Sequence, residues 1–223
     1  MKVLEKELFD EWKGKRKNLI LDGIVDKQSY KDSQLKVLYI LKEVNGGKGW
    51  DLTKFLKEGG RASTWNNVTR WQYGITNIDK DIRWGDIETI SNETRKSQLK
   101  NIAIMNLKKE PGGAKAISKQ VWTYALEDNE FLKKQIQIYS PDIIICCGTG
   151  EIVKNLELVE KFNEWEKSSY GEPLIRYYRT VNQLKSQIII NYYHPAYYGK
   201  NTKELFYPLY KTIKEIFEKT KLE

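Results

Sequence analysis

The stretch IIICCGTG, residues 143–150, runs through five apolar residues and ends at a glycine-rich turn. Three further apolar runs share this pattern: VLYIL at 37–41, IAIMNL at 102–107 and III at 188–190. Continuous apolar runs separated by amphipathic segments are typical of buried parallel strands that are connected by crossover helices. The sequence therefore predicts an α/β fold with three layers, α/β/α, around a central four-stranded, mainly parallel sheet.

The segments between these runs predict a single domain over residues 1–223, a length that one α/β domain can fill. Helical spacing of apolar residues predicts a first helix over 3–13. The segment 46–96 is too long for a minimal crossover and predicts a helical insertion, and the alternating pattern at 174–181 predicts an extra strand.

The composition is that of a globular protein outside membranes. Hydrophobic residues make up 40% of the chain and charged residues 30%, and no apolar run approaches the roughly 20 residues that a membrane span needs. The amino-terminal residues alternate charged and apolar side chains and lack the apolar region of a secretory signal. We therefore expect a cytoplasmic protein, without a membrane partner, that is a monomer.

The net charge of +8 favours an anionic partner, because lysines and arginines that neutralise phosphates release condensed counterions. Seven tryptophans and fourteen tyrosines supply surfaces on which bases can stack. DNA or RNA is therefore the first partner to consider. The alternative is that the surplus lysines only solvate helix faces.

The two cysteines argue against a metal or an iron–sulfur cluster. Cys146 and Cys147 are adjacent within an apolar run, so their side chains point to opposite faces of the predicted strand. Together with a single histidine they cannot form a usual structural zinc site, and a cluster needs four cysteine ligands. We expect both cysteines to be buried apolar residues and the protein to need no cofactor.

His194 is the single histidine of the chain, and it follows the apolar run at 188–190 directly before Pro195. The imidazole has an unperturbed pKa near neutrality, and open α/β sheets bind ligands at the carboxyl ends of their strands. His194 is therefore a candidate for chemistry. The alternative is a histidine that merely caps a strand.

Polar residues also follow the other three predicted strands. Glu43 and Asn45 follow the first, Asn106 ends the second, and Gly148 follows the third. Because the carboxyl ends of parallel strands lie side by side, these residues and His194 are predicted to line one crevice.

The order and spacing of these residues resemble the uracil-DNA glycosylase superfamily over residues 35–200. The segment KEVNG at 42–46 is similar to the family's first motif, of the Gly-Glu-Ala-Pro-Gly kind. Asn106 matches an asparagine on the second strand, Gly148 a glycine after the third, and His194-Pro195 a His-Pro-Ser motif after the fourth.

The resemblance implies candidate catalytic roles for Glu43, Asn45 and His194. Glu43 takes the acidic position, where a carboxylate polarises a water molecule or stabilises the cationic sugar as the glycosidic bond breaks. His194 takes the position that donates a hydrogen bond to the carbonyl oxygen of the departing base, a role for which a neutral imidazole suffices. Glu43 as a solvated strand-end carboxylate is the alternative.

The resemblance also implies residues that hold the base and the DNA. Asn106 matches the asparagine that reads the edge of a flipped pyrimidine, unless it only stabilises a turn. Trp50 or Phe55 is the candidate for stacking on the flipped base, with Trp65 as a more distant option. The candidate DNA-binding residues are Lys42, Gly46, Lys108, Pro195, Tyr197, Tyr198 and Lys200.

Tyr197 or Tyr198 matches the bulky side chain that fills the space left by the flipped nucleotide. The alternative is that the two tyrosines pack on the last helix.

The sequence departs from the family's motifs at several positions. Lys42 replaces a glycine, Asn45 a proline and Ala196 the serine of His-Pro-Ser, which removes one donor to a phosphate oxygen. Gly46 stands where some uracil-specific members carry a bulky residue that rejects the thymine methyl group. The pocket is therefore predicted to admit a C5-substituted pyrimidine.

The expected activity is that of a monofunctional DNA glycosylase, a hydrolase that flips uracil or a C5-substituted pyrimidine, as in modified phage DNA, and leaves an abasic site. A catalytically inactive nucleic-acid-binding protein of the same fold is one alternative. An N-glycosidase that acts on free nucleosides or nucleotides is another.

Overall fold

The computed structural model describes residues 2–47, 49–180 and 186–222. These ranges contain seven strands in one sheet and nine α-helices. The strands are β1 (Gly23–Ile24), β2 (Val37–Leu41), β3 (Ile102–Asn106), β4 (Ile143–Cys147), β5 (Glu166–Lys167), β6 (Arg176–Arg179) and β7 (Ile188–Tyr192). The helices are α1 (Lys2–Lys15), α2 (Lys27–Asp32), α3 (Leu52–Lys57), α4 (Ala62–Thr76), α5 (Asn92–Leu99), α6 (Ser118–Glu127), α7 (Asn129–Tyr139), α8 (Gly150–Asn155) and α9 (Thr202–Leu222).

The predicted α/β class is confirmed, and the four apolar runs form β2, β3, β4 and β7. The sheet order is β1-β3-β2-β4-β7-β6-β5, and the central pairs β2/β3, β2/β4 and β4/β7 are parallel. In the β2/β3 pair Leu41 lies opposite Asn106, and in the β4/β7 pair Cys147 lies opposite Tyr192. The last residues of these strands therefore lie along one edge of the sheet.

The four predicted central strands are present, but the sheet is larger and mixed, because three further strands joined by antiparallel pairs extend it to seven in the part of the chain described. β1 pairs with β3 at one end, and β6 and β5 follow β7 at the other. β1 and β5 contain two residues each, which is too short for a hydrophobic pattern to show. The extra strand predicted at 174–181 is β6, and Val181 lies outside the described residues.

Side chains that alternate along the strands form a separate core on each face of the sheet. In β2, Val37, Tyr39 and Leu41 face the first core, to which α4 and α9 contribute. Leu38 and Ile40 face the second core, to which α1 and α7 contribute. Both cysteines of β4 are fully buried, one in each core, and burial raises the pKa of both thiols. The two cores make the molecule a three-layer α/β/α structure.

The segment between β2 and β3 is built from α3, α4, a short 3₁₀ turn at Trp84–Asp86 and α5, with residue 48 not described. α4 packs against both α5 and α9. Trp71 of α4 donates a hydrogen bond from Nε1 to the carbonyl oxygen of Leu205 in α9, at 2.6 Å. None of the described helices combines the length and the apolar character that crossing a membrane requires.

A buried ion pair ties the edge of the sheet to the helices of the second core. Both Lys109 and Asp22 have fully buried side chains, and Lys109 Nζ lies 2.7 and 2.8 Å from the two carboxylate oxygens. The same carboxylate accepts hydrogen bonds from Gln135 Nε2 in α7, at 2.9 Å, and from the backbone N–H of Asn106, at 2.7 Å. The Asp22 carboxylate, directly before β1, therefore connects the start of that strand with β3 and α7.

Replacing Lys109 with alanine is expected to lower the free energy of unfolding by about 3–5 kcal/mol, because the Asp22 carboxylate is then buried without its cation. Lys134→Ala is the matched control, since its ion pair with Glu11 is 3.9 Å long and both side chains are more than half exposed. We expect that change to cost less than about 1 kcal/mol. Urea unfolding at one pH measures both, and equal midpoints for the two variants would contradict the prediction.

Candidate functional site

The loops after β2 and β3 continue the pairing of the two strands beyond the edge of the sheet. The backbone N–H of Lys108 donates to the carbonyl oxygen of Lys42 at 2.9 Å, and that of Gly112 to Val44 at 2.8 Å. The N–H of Gly46 in turn donates to the carbonyl oxygen of Gly112, at 3.1 Å. These bonds give the segment that resembles the first motif a defined backbone.

Glu43 faces the loop after β3. Its side chain is only 4% exposed and forms an ion pair with Lys108, whose Nζ lies 2.7 Å from Oε2. Lys108 also donates to the carbonyl oxygen of Pro111, at 3.2 Å. A Cβ atom at Gly112 would lie within 2.5 Å of both carboxylate oxygens, so a larger residue there would displace the Glu43 side chain. The carboxylate is therefore held in place by residues of the β3 loop.

Asn45 and Gly46 lie at the tip of the same loop, and Asn45 is exposed. Gly46 has a φ of +75°, which favours glycine. Apart from its chain neighbours, none of the described residues has an atom within 4 Å of the position that its Cβ would occupy.

Lys42 points toward the turn after β4. Its Cε and Nζ atoms lie 3.6 and 3.9 Å from the position that a Cβ would take at Gly148, a glycine with φ of +71°. Lys42 is also one of the charges that act on His194. Adjacent residues of an extended chain point to opposite sides, so Lys42 and Glu43 serve different parts of the site.

His194 presents one ring nitrogen as a hydrogen-bond donor. Nδ1 accepts a hydrogen bond from the backbone N–H of Ala196 at 3.1 Å, so the proton of the neutral ring lies on Nε2. A turn follows through Pro195, closed by the N–H of Tyr197 on the carbonyl oxygen of His194 at 2.9 Å. Burial, and secondly the charge of Lys42, lower the pKa of His194 below its ordinary value. Both causes favour the neutral form of the imidazole.

Asn106 belongs to the interior of the molecule. It is 2% exposed, and its amide nitrogen lies 3.3 Å from Oδ2 of Asp22, to which its backbone N–H also donates. The amide group predicted to read a base is therefore engaged by a buried carboxylate.

Trp50 and Phe55 contact each other, with ring centroids 4.7 Å apart and planes inclined by 47°. Both side chains are half-buried and pack against the first core. Trp50 lies beside the loop after β2, because a Cβ at Gly47 would be 3.1 Å from the Trp50 Cβ. The two rings thus lie near the loop that carries Glu43, and part of their surface packs against the first core. Trp65 is 5% exposed in the same core.

The aromatic residues around His194 form a series of near-parallel rings. Tyr193 and Tyr197 have centroids 4.9 Å apart, and Tyr197 and Tyr198 6.0 Å apart. Lys200 Nζ lies 5.8 Å from the centroid of the Tyr193 ring. Tyr198 is 98% exposed, which excludes the alternative that it packs on the last helix.

The predicted residues thus fall into three groups with separate contacts. Lys42 lies close to Gly148 and acts on His194, Glu43 is paired with Lys108, and Asn106 with Asp22. No contact joins Glu43, Asn106 and His194 in the described part of the chain.

Sequence reasoning missed Asn67 and Arg70 of the helical insertion. Asn67 Nδ2 donates to the carbonyl oxygen of Pro195 at 2.7 Å, and Arg70 donates to Asn67 Oδ1 at 3.2 Å. These bonds attach α4 to the His194 loop. Asn67 and Pro195 are 128 positions apart in the chain, so no local sequence pattern relates them. The hint in the sequence was the presence of two polar residues, Asn67 and Arg70, within a tryptophan-rich helix.

The structure also contains a cavity of about 380 Å³ away from these groups. It is lined by residues before β2 and before β3, among them Leu35 and Asn101, and by Gln72 of α4. The cavity therefore lies near the amino ends of the strands, at the edge opposite His194.

The arrangement at the carboxyl edge offers one neutral donor, two lysines and a fixed carboxylate. In the ranges described, no three His, Cys, Asp or Glu side chains are placed to share a metal ion. The sequence matches no family model, and no curated protein is significantly similar to it.

The single histidine allows its pKa to be followed by NMR without ambiguity of assignment. We expect the imidazole resonance to titrate below pH 6.5. Lys42→Gln should move the midpoint upward but not above that value, because burial is the larger cause. Between pH 6.5 and the lowered pKa the unfolded chain binds a proton that the folded chain does not, so this contribution to stability falls as the pH falls.

Lys134→Gln serves as the control for that titration, because Lys134 is an exposed residue of α7 that packs beside α1. A midpoint that Lys42→Gln leaves unchanged would show that Lys42 does not act on His194.

Proposed function

We propose that the protein is a DNA glycosylase that flips a pyrimidine base out of DNA and hydrolyses its N-glycosidic bond, leaving an abasic site. The observation that carries this proposal is His194, a neutral imidazole with Nε2–H as its donor, at the carboxyl edge of a parallel sheet. Four parallel strands with polar residues at their carboxyl ends also support the uracil-DNA-glycosylase-like arrangement that the sequence resembles.

His194 suits the role of donor to the departing base. As the glycosidic bond breaks, negative charge develops on the carbonyl oxygen of the base, and a preorganised N–H donor stabilises that charge. The Ala196 N–H fixes the tautomer in advance, so no proton has to be rearranged on the ring. The positive charge of Lys42 adds to the stabilisation of the developing anion.

Glu43 is the candidate for stabilising the cationic sugar or polarising the water molecule. Its ion pair with Lys108 fixes the position of one carboxylate oxygen. The space beside Gly46 would admit a C5-substituted pyrimidine as well as uracil.

A second candidate function is DNA binding without catalysis. The Glu43–Lys108 ion pair favours it, because the charge that the reaction needs is already compensated and the carboxylate is almost entirely buried. The two candidates share the same surface and differ in turnover.

The test of the donor role is His194→Leu, compared with His194→Gln. Leucine removes the donor, and we expect the excision rate to fall about 10²–10³-fold, the usual loss for one such donor. Glutamine restores an N–H and should recover part of the rate. The assay measures strand breakage at abasic sites in DNA containing uracil, hypoxanthine or a 5-substituted cytosine. Equal excision rates for wild type and His194→Leu would show that His194 takes no part in the reaction.

Glu43→Gln separates the two candidate functions. A glycosylase should lose turnover while its affinity for DNA stays within a few-fold, whereas a binding protein should show no turnover before or after the change. Lys108→Gln is the companion variant, because it breaks the same ion pair and leaves the carboxylate in place. Thermal unfolding of both variants measures the effect of the broken pair on stability. A wild-type protein that binds DNA and excises none of the three bases supports the second candidate.

A further inference from the structure

The series Tyr193, Tyr197 and Tyr198, here called the tyrosine ladder, is anchored in the core. Inward from Tyr193, ring contacts continue to Tyr192 at 5.3 Å and to Trp71 at 5.3 Å. The Tyr192 hydroxyl and Trp71 Nε1 both donate to the carbonyl oxygen of Leu205, at 2.9 and 2.6 Å. The inner end of the ladder is therefore fixed by packing and by hydrogen bonds.

The outer end of the ladder is open. The exposed fraction rises from 40% at Tyr197 to 98% at Tyr198. A Cβ at Gly199 would lie 2.4 Å from the Tyr197 hydroxyl, so a larger residue there would displace that ring. Tyr198 therefore leaves its apolar area in water in the free protein, where both faces of the ring can contact a partner.

The charges around the ladder favour an anionic partner with flat faces. Lys200 Nζ lies 5.8 Å from the centroid of the Tyr193 ring, at the base of the ladder. The net charge of +8 has the same sign. Unpaired nucleotides meet both requirements, since their bases stack on aromatic rings while lysines bind the phosphates.

The geometry of the ladder leaves its outermost ring open to a base. The three rings stack on one another with planes inclined by only 20° and 26°, and Tyr198, at the outer end, is 98% exposed. A side chain that wedges into a duplex needs bulk at one point and no such series. The N–H of Tyr197 is also bonded to the His194 carbonyl oxygen, which places the ladder directly beside the proposed donor.

We infer that Tyr198, at the outer end of the tyrosine ladder, is a stacking platform for an unpaired base next to the target nucleotide, so that single-stranded DNA is the preferred substrate. This inference rests on the proposed function for the placement of the target base beside His194. Binding to the ladder itself needs no turnover.

The experiment measures the fluorescence anisotropy of a labelled thymidine oligonucleotide of about twelve residues, and of an abasic oligonucleotide of the same length. Tyr198→Leu keeps apolar bulk but loses the ring, and should weaken thymidine binding by about 5- to 150-fold, the range for one stacked base. Tyr198→Phe keeps the ring and should bind like wild type. Trp122→Ala, which removes an exposed aromatic residue of α6, is the matched control and should change nothing.

Binding of the abasic oligonucleotide should be weaker and equal in all four variants, wild type included. The inference is overturned if Tyr198→Leu binds thymidine DNA as wild type does, if it weakens abasic binding equally, or if a duplex of the same sequence binds more tightly than the single strand. Loss of stacking in Tyr198→Leu in a protein that excises no base upholds the platform and contradicts the proposed function. If the protein excises a base from duplex DNA, Tyr198→Leu does so at the same rate, and neither protein binds the single strand, the proposed function is upheld and the platform is contradicted.

Discussion

The parallel pairing of β2, β3, β4 and β7 is the constraint on which the site depends. Parallel strands need crossover connections, which cover both faces of the sheet with helices and leave only its edges for chemistry. All four strands end at the same edge, and in-register pairs such as Leu41 with Asn106 keep those ends level. Residues far apart in the chain, such as Lys42 and His194, are thereby brought close enough for one charge to act on the other.

The sequence was sufficient for the central strands, because a strand buried on both faces needs an apolar residue at nearly every position. It was insufficient for β1 and β5. Each of these strands has only two residues and pairs with a neighbouring strand whose position only the folded sheet provides. The candidate site divides in the same way. Topology alone predicts that Glu43 and His194 lie at strand ends. Which residues they contact depends on the direction in which each side chain points from the backbone. Asp22 is 87 positions from Lys109, and no local pattern relates the two.

The two candidate reactive groups lie in different electrostatic environments. Burial is the larger of the two causes that lower the pKa of His194, and it favours the neutral imidazole. The Glu43 carboxylate lies 2.7 Å from the Lys108 ammonium in an almost fully buried pair, so it contributes little to the field at the surface. Under the proposed function, Lys42, Lys200 and the tyrosines would bind the nucleic acid, whereas His194 and Glu43 would act on the glycosidic bond.

Lys108 and Lys109 are consecutive residues that serve different parts of the molecule. One is bound to Glu43 at the surface loop, and the other to Asp22 in the interior. Because the two side chains leave the same short segment, any shift that accommodates a change on one side is felt on the other. The packing around Asp22 in the interior therefore constrains the backbone of the loop that faces Glu43, so a change of a fully buried residue can alter the geometry of the carboxyl end of the sheet.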